Sequence, residues 1–221
     1  MQALVFDFDG LILDTESALF ASTATVFADH GLDLDAAWWT AEILGTAEHP
    51  HWTEILAERL GRPLEDHDAV VEARNLRYHE TLALEAVRPG VVELLREADE
   101  HGVRCAVASS SPRYWVEGHL DRLGLAPCFR AVRTRNDVGP GRTKPAPDLF
   151  LLACEAVDAE PRRSVALEDS PNGVRAAKAA GMAVVGVAAG LTAGLPLEGA
   201  DLVVPSLADV TVEGLAALVS P

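Results

Sequence analysis

The stretch Ala3-Leu4-Val5-Phe6-Asp7-Phe8-Asp9-Gly10 decides how the chain reads. Four apolar residues end at a carboxylate, a second carboxylate follows two residues later, and a glycine comes next. A short apolar run closed by a polar residue suits a parallel strand covered on both faces. The signature recurs. Val103–Ala108 stops at Ser109, Val165–Leu167 stops at Glu168-Asp169, and Ala183–Val187 and Leu202–Val204 follow. Helical patterns lie between these runs. Pro89 opens one, with Val91, Val92, Leu94 and Leu95 as its apolar side and Gly102 beyond its end. Others cover Leu149 to Leu152 and Gly173 to Gly181. Strand–helix alternation predicts an α/β fold with a parallel sheet. Ligands of such sheets bind beyond the carboxyl ends of the strands, where Asp7, Ser109 and Asp169 fall.

Residues 15–83 break this rhythm and contain no convincing strand. Asp14 or Thr15 can cap a helix carrying Leu19, Phe20, Thr23, Val26 and Phe27 and ending before Gly31. Further helical stretches surround Trp38-Trp39, Trp52–Leu60 and Val70–Leu82. A βαβ crossover needs only about a dozen residues. The excess predicts a helical subdomain at 15–83, a possible lid, inserted into a core formed by 1–14 and 84–221.

Composition bounds the function. The 221 residues carry 18 Lys and Arg against 34 Asp and Glu, a formal net charge of -16. That balance argues against a nucleic-acid partner, whose phosphates need cationic neutralisation. It leaves small phosphorylated ligands open, because a local field can oppose the net charge. Cys105, Cys128 and Cys154 are an odd number without CxxC spacing and read as reduced thiols of a cytoplasmic protein. No secretory leader and no apolar run of about 20 residues are seen, so no membrane association is expected. Nothing in the chain sets an oligomeric state; a monomer is the default expectation.

With strand period two, Asp7 and Asp9 face one side, and two carboxylates in one crevice call for a cation or a shared proton. Mg2+ suits one or two carboxylates together with phosphate oxygens. An EF-hand reading of Asp7, Asp9, Asp14 and Glu16 fails, because the glycine at loop position six is missing and a strand precedes. Alone, Asp7 and Asp9 could be solvated turn residues, Ser109–Ser111 an ordinary serine turn, Lys144 a surface lysine and Glu168-Asp169-Ser170 a helix cap. Together they place carboxylates, hydroxyls, an ammonium and more carboxylates at the same end of a sheet.

This combination resembles the haloacid dehalogenase (HAD) superfamily, in the branch with a helical cap inserted after the first strand, similar to the β-phosphoglucomutase and phosphoglycolate phosphatase-like members. Asp7 to Glu16 matches the family's first motif, Ser109 the second, Lys144 with Pro145 the third, and Glu168-Asp169-Ser170 the fourth. The resemblance implies a Rossmann-like core of strand order 3-2-1-4-5. It implies a phosphatase acting on a small phosphorylated metabolite, sugar- or polyol-like, through a phosphoaspartate. Asp7 would be the nucleophile and Asp9 the general acid and base. Mg2+ would be held by the Asp7 carboxylate, the Asp9 backbone carbonyl and Asp169, with Glu168 assisting. Ser109, Ser110 and Lys144 would bind the phosphoryl group. A sugar phosphomutase using the same phosphoaspartate is the alternative. A phosphorylated receiver-like switch fits less well, because its acceptor normally ends the third strand.

Substrate choice is expected in the cap. Leu44 to Pro50 resembles the family's specificity loop, and mutases of the family carry an arginine about where Glu48 stands. Glu48 would disfavour an anionic leaving group and accept hydrogen bonds from hydroxyls. Arg74 and Arg113 are the alternative cations. His49 and His51 read as surface histidines, and Trp38, Trp39, Trp52 and Trp115 as packing residues.

Overall fold

The computed structural model describes residues 1–44 and 49–219. The chain divides into two compact units, Met1–Leu13 with Ala86–Pro221, and Asp14–Glu85.

The first unit is a parallel six-stranded sheet with helices. Its strands are β1 (Ala3–Phe6), β2 (Arg104–Ala108), β3 (Ala131–Arg133), β4 (Ser164–Glu168), β5 (Ala183–Val187) and β6 (Leu202–Val204), in the order β3-β2-β1-β4-β5-β6. The family order 3-2-1-4-5 is present and β6 extends it by one edge strand. Val5 lies in register with Ala106 on one side and Ala166 on the other, which makes β1 central. Both faces of the sheet are covered, as the continuous apolar runs require. On one face Ala3, Val5, Ala106, Ala108 and Ala166 pack with Leu149, Phe150, Ala153 and Cys154 of α7 (Asp148–Ala156). The small strand residues leave room for the helix, and Phe150 is fully buried there. On the other face the Phe6 ring meets Phe129 edge-on at 5.5 Å.

The Pro89 pattern becomes α5 (Val91–Glu100), two residues later than a proline at the first helical position would give. Gly90 intervenes as N-cap at φ +87, and a Cβ there would strike the backbone of Leu207 and Ala208. The strand β3 has no counterpart among the apolar runs. It is three half-buried residues at the sheet edge, Ala131, Val132 and Arg133.

The second unit is helical: α1 (Thr15–Asp29), α2 (Ala36–Trp39) continuing into a π-helical turn at Thr40–Leu44, α3 (Trp52–Leu60) and α4 (His67–Leu84). Local chemistry sets its helix ends. The Asp14 carboxylate accepts from Ser17 N at 3.1 Å, and Asp66 accepts from Ala69 N at 3.0 Å. Gly61 closes α3 in the left-handed region at φ +67. Arg77 of α4 pairs with Asp29 at the end of α1 at 2.7 Å. Among the described residues, no helix is long and apolar enough to cross a membrane.

Candidate active site

β1 ends at Phe6, and the backbone N–H of Asp7 still donates to Leu167 O of β4 at 2.9 Å. The chain then turns sharply. Ile12 N donates to Phe8 O, Gly10 N donates to Leu13 O, and Gly10 sits at φ +80. A side chain at Gly10 is impossible on two counts: the left-handed backbone, and a Cβ that would lie 2.0 Å from Asp169 Oδ2. The glycine therefore brings the β4 carboxylate against the first turn.

Asp7, Glu168 and Asp169 are all buried, and each offers a carboxylate oxygen within 4.8 Å of the others. Lys144 enters from the loop before α7, and its peptide bond to Pro145 is cis. Its ammonium donates to Asp7 Oδ1 and, at 2.5 Å, to Glu168 Oε1. Its side chain is 5% exposed. Burial would push that amine toward neutrality, but Asp7 and Glu168 more than reverse this and hold it charged. Burial, reinforced by Glu168 and Asp9 and opposed by Lys144, leaves the Asp7 carboxyl pushed up to about 8.

The other oxygen of Glu168 is occupied too. Oε2 accepts from Ser170 N at 3.3 Å and Ser170 Oγ at 3.0 Å, and Ser170 Oγ caps α8 (Pro171–Ala179) by accepting from Gly173 N. Gly173 makes this possible, since a Cβ there would lie 1.8 Å from Glu168 Cδ. Asp169 Oδ2 accepts from the buried Thr192 hydroxyl at 3.2 Å, donated from the loop after β5.

Asp9 goes elsewhere. Its Oδ2 accepts from Ser111 Oγ at 2.6 Å and Ser109 Oγ at 3.3 Å, and its Oδ1 from Trp115 Nε1 at 2.9 Å. Trp115 belongs to α6 (Arg113–Arg122). Asp9 thus finds its donors on the β2–α6 loop and α6, while staying close enough for its charge to act on the Asp7 carboxyl. Ser109 is buried at the end of β2, and Ser110 is exposed.

The remaining candidates are described by their own partners. Arg113 is committed to an ion-pair network, with Nη2 at 2.6 Å from both oxygens of Asp137 and Nη1 at 2.8 Å from Glu117. Arg74 belongs to α4 of the helical unit, where its guanidinium lies 5.2 Å from the centre of the Trp52 ring and 5.9 Å from that of Tyr78. Burial lowers its pKa. Glu48 lies outside the described residues. His51 bonds Thr53 Oγ1 at 2.7 Å and is exposed, as a surface histidine is. Of the residues the sequence reading passed over, Thr192 and Ser111 reach the site carboxylates. Trp115, expected to be a packing residue, has its indole N–H on Asp9.

The donor set is hard: carboxylate oxygens, with no thiol or imidazole among the three clustered residues. Asp7, Asp9, Glu168 and Asp169 set four carboxylates against the single ammonium of Lys144. A phosphoryl dianion could enter such a site only beside a divalent cation, so the residues fit Mg2+.

Comparison with known proteins agrees with this geometry. The model of the haloacid dehalogenase-like hydrolases matches residues 1–181. The chain belongs to that family. YhcW of Bacillus subtilis, which carries a phosphatase name, is 38% identical over 95% of this chain and 94% of its own. The β-phosphoglucomutase of the same organism is 29% identical over 96% of this chain and 93% of its own. A crystal structure of a HAD family hydrolase from Deinococcus radiodurans, with bound phosphate and sodium, superposes with a TM-score of 0.80 at 27% identity, covering 100% of this chain and 98% of that one.

Proposed function

We propose that the protein is a Mg2+-dependent phosphatase that hydrolyses a small sugar- or polyol-like phosphomonoester through a phosphoaspartate at Asp7. The observation that carries this reading is the buried chain Asp7–Lys144–Glu168, with Asp169 beside it and Asp9 held separately by its own donors. The phosphatase name of YhcW and the phosphate bound to the Deinococcus hydrolase support it.

In this reading Asp7 Oδ1 is committed to Lys144, which leaves Oδ2 as the nucleophile. Lys144 and the Ser109 hydroxyl neutralise and orient the phosphoryl oxygens, which is most of what phosphoryl transfer asks of a protein. Asp7, Asp169 and the Asp9 carbonyl would hold Mg2+, while Glu168, with both oxygens bonded, contributes by holding Lys144. When bound, Mg2+ supplies charge neutralisation at the phosphoryl group and keeps Asp7 ionised. Asp9 gives a proton to the leaving oxygen and then takes one from the attacking water. The helical unit Asp14–Glu85 is the proposed cap, with Arg74 and Glu48 as its candidate selectivity residues.

A panel of phosphomonoesters assayed with and without Mg2+ tests the reading, with Asp7→Asn as the control. Release of inorganic phosphate that needs both Mg2+ and Asp7 supports it. Return of the phosphoryl group to another hydroxyl of a sugar phosphate would identify a mutase instead, the activity named for the Bacillus subtilis relative.

A further inference from the structure

Asp9 is bonded asymmetrically. Oδ2 faces two hydroxyls, Ser111 Oγ at 2.6 Å and Ser109 Oγ at 3.3 Å, whereas Oδ1 faces the Trp115 indole N–H at 2.9 Å. These partners differ in kind. A hydroxyl both donates and accepts, so Oδ2 can carry a proton and still be bonded. An indole N–H only donates, so it favours the unprotonated oxygen, and a proton on Oδ1 would weaken that bond by leaving a poorer acceptor. The indole cannot easily turn aside. Its ring meets His119 edge-on at 4.4 Å, and His119 in turn stacks on Phe8, the neighbour of Asp9, at 6.1 Å.

We propose that Trp115 is a positioning residue that commits Oδ1 of Asp9 to accepting and thereby makes Oδ2 the oxygen that exchanges protons with the substrate. The inference rests on the phosphatase reading above. In the first half-reaction the P–O bond to the leaving group breaks as the bond from Asp7 Oδ2 to phosphorus forms, and Asp9 Oδ2 delivers its proton to the leaving oxygen. In the second, Asp9 Oδ2 takes a proton from the water that attacks phosphorus, and the Asp7–phosphorus bond breaks to release phosphate. Ser109 makes the exchange responsive to substrate. Its hydroxyl has one proton, and donating it to a phosphoryl oxygen withdraws it from Asp9 Oδ2. Trp115 then keeps the carboxyl from rotating when that donor leaves.

Trp115→Phe keeps the ring and removes the N–H. Its signature is dependence on the leaving group. Poor leaving groups need the proton from Asp9 and good ones do not. With Mg2+ and a series of alkyl and aryl phosphomonoesters, the variant should lose about tenfold in kcat/KM on alkyl esters and little on p-nitrophenyl phosphate, steepening the dependence on leaving-group pKa. An equal loss across the series, or no loss, would overturn the proposal. A wild type inactive on every ester would overturn the phosphatase reading and this one with it. The slope compares substrates on one preparation, so partial unfolding does not mimic it. A measurement on wild-type fold covers a variant that fails to fold: the indole 15N–1H resonance assigned to Trp115 should move upfield in Asp9→Ala. A resonance that stays in place would overturn the contact.

Discussion

Lys144 Nζ lies 2.5 Å from Glu168 Oε1, and the two side chains are 5% and 0% exposed. The same ammonium bonds Asp7, so one cation ties the end of β1 to the end of β4. Breaking a buried pair from one side costs more than the pair contributes, because the surviving charge stays desolvated. Lys144→Ala should therefore lose activity and also about 3–5 kcal/mol of stability, read as a lower denaturation midpoint in urea. A midpoint unchanged from the wild type would mean that Glu168 is compensated by something other than Lys144.

The Asp7 carboxyl has a second measurable consequence. Burial, reinforced by Glu168 and Asp9 and opposed by Lys144, raises it from 3.8 to about 8. Between those values the folded chain holds a proton that the unfolded chain has released, so stability falls as pH rises. In excess chelator, the wild type should lose stability from about pH 4 to about pH 8, and Asp7→Asn should flatten that slope. Urea melts across the range check it; parallel slopes would refute it.

Thr192 tests the proposed metal site without altering a proposed ligand. Its hydroxyl donates to Asp169 Oδ2 at 3.2 Å from a buried position. Groups that orient metal-binding carboxylates typically contribute about 10–100-fold in affinity. Calorimetric titration should show Thr192→Val binding Mg2+ more weakly by an amount in that range. The wild type should gain about 2.7 kcal/mol of stability at a hundredfold excess of Mg2+ over Kd.

Much of this architecture was legible because it is built from uninterrupted apolar strands. β1 and β4 are buried on both faces, so Asp7, just past the end of β1, and Glu168, the last residue of β4, announce themselves as carboxylates at the end of apolar runs. β3 was not legible. Three half-buried residues beside Arg130 at the sheet edge carry no such contrast. Asp9 was half legible: its place in the motif marked it out, but its donors Ser111 and Trp115 show only in three dimensions. Trp115 was misjudged because an indole N–H declares its partner only through a contact 106 residues away. Arg113 looked available, and its commitment to Asp137 is likewise visible only in three dimensions.

Gly173 is the most exacting packing position near the site. Alanine there would place Cβ 1.8 Å from Glu168 Cδ. Gly173→Ala should cost about 1–3 kcal/mol through overpacking, and should lower activity by displacing Glu168 and with it Lys144. Thermal melts and steady-state assays on one preparation would show both losses; a variant of wild-type stability would show that the α8 terminus yields freely.

The backbone N–H of Arg88 donates to Ile12 O at 2.9 Å, just inside the two points where the chain leaves and rejoins the sheet-bearing unit. The exit and return are thus stitched side by side by bonds that belong wholly to that unit. Lengthening a closed loop costs little once its ends meet, about 0.6 kcal/mol per doubling. The junction therefore works as a socket: the sheet and its carboxylates tolerate a different insert between 14 and 85 provided its ends lie equally close. An exchanged cassette would then leave the carboxylates at the strand ends where they are.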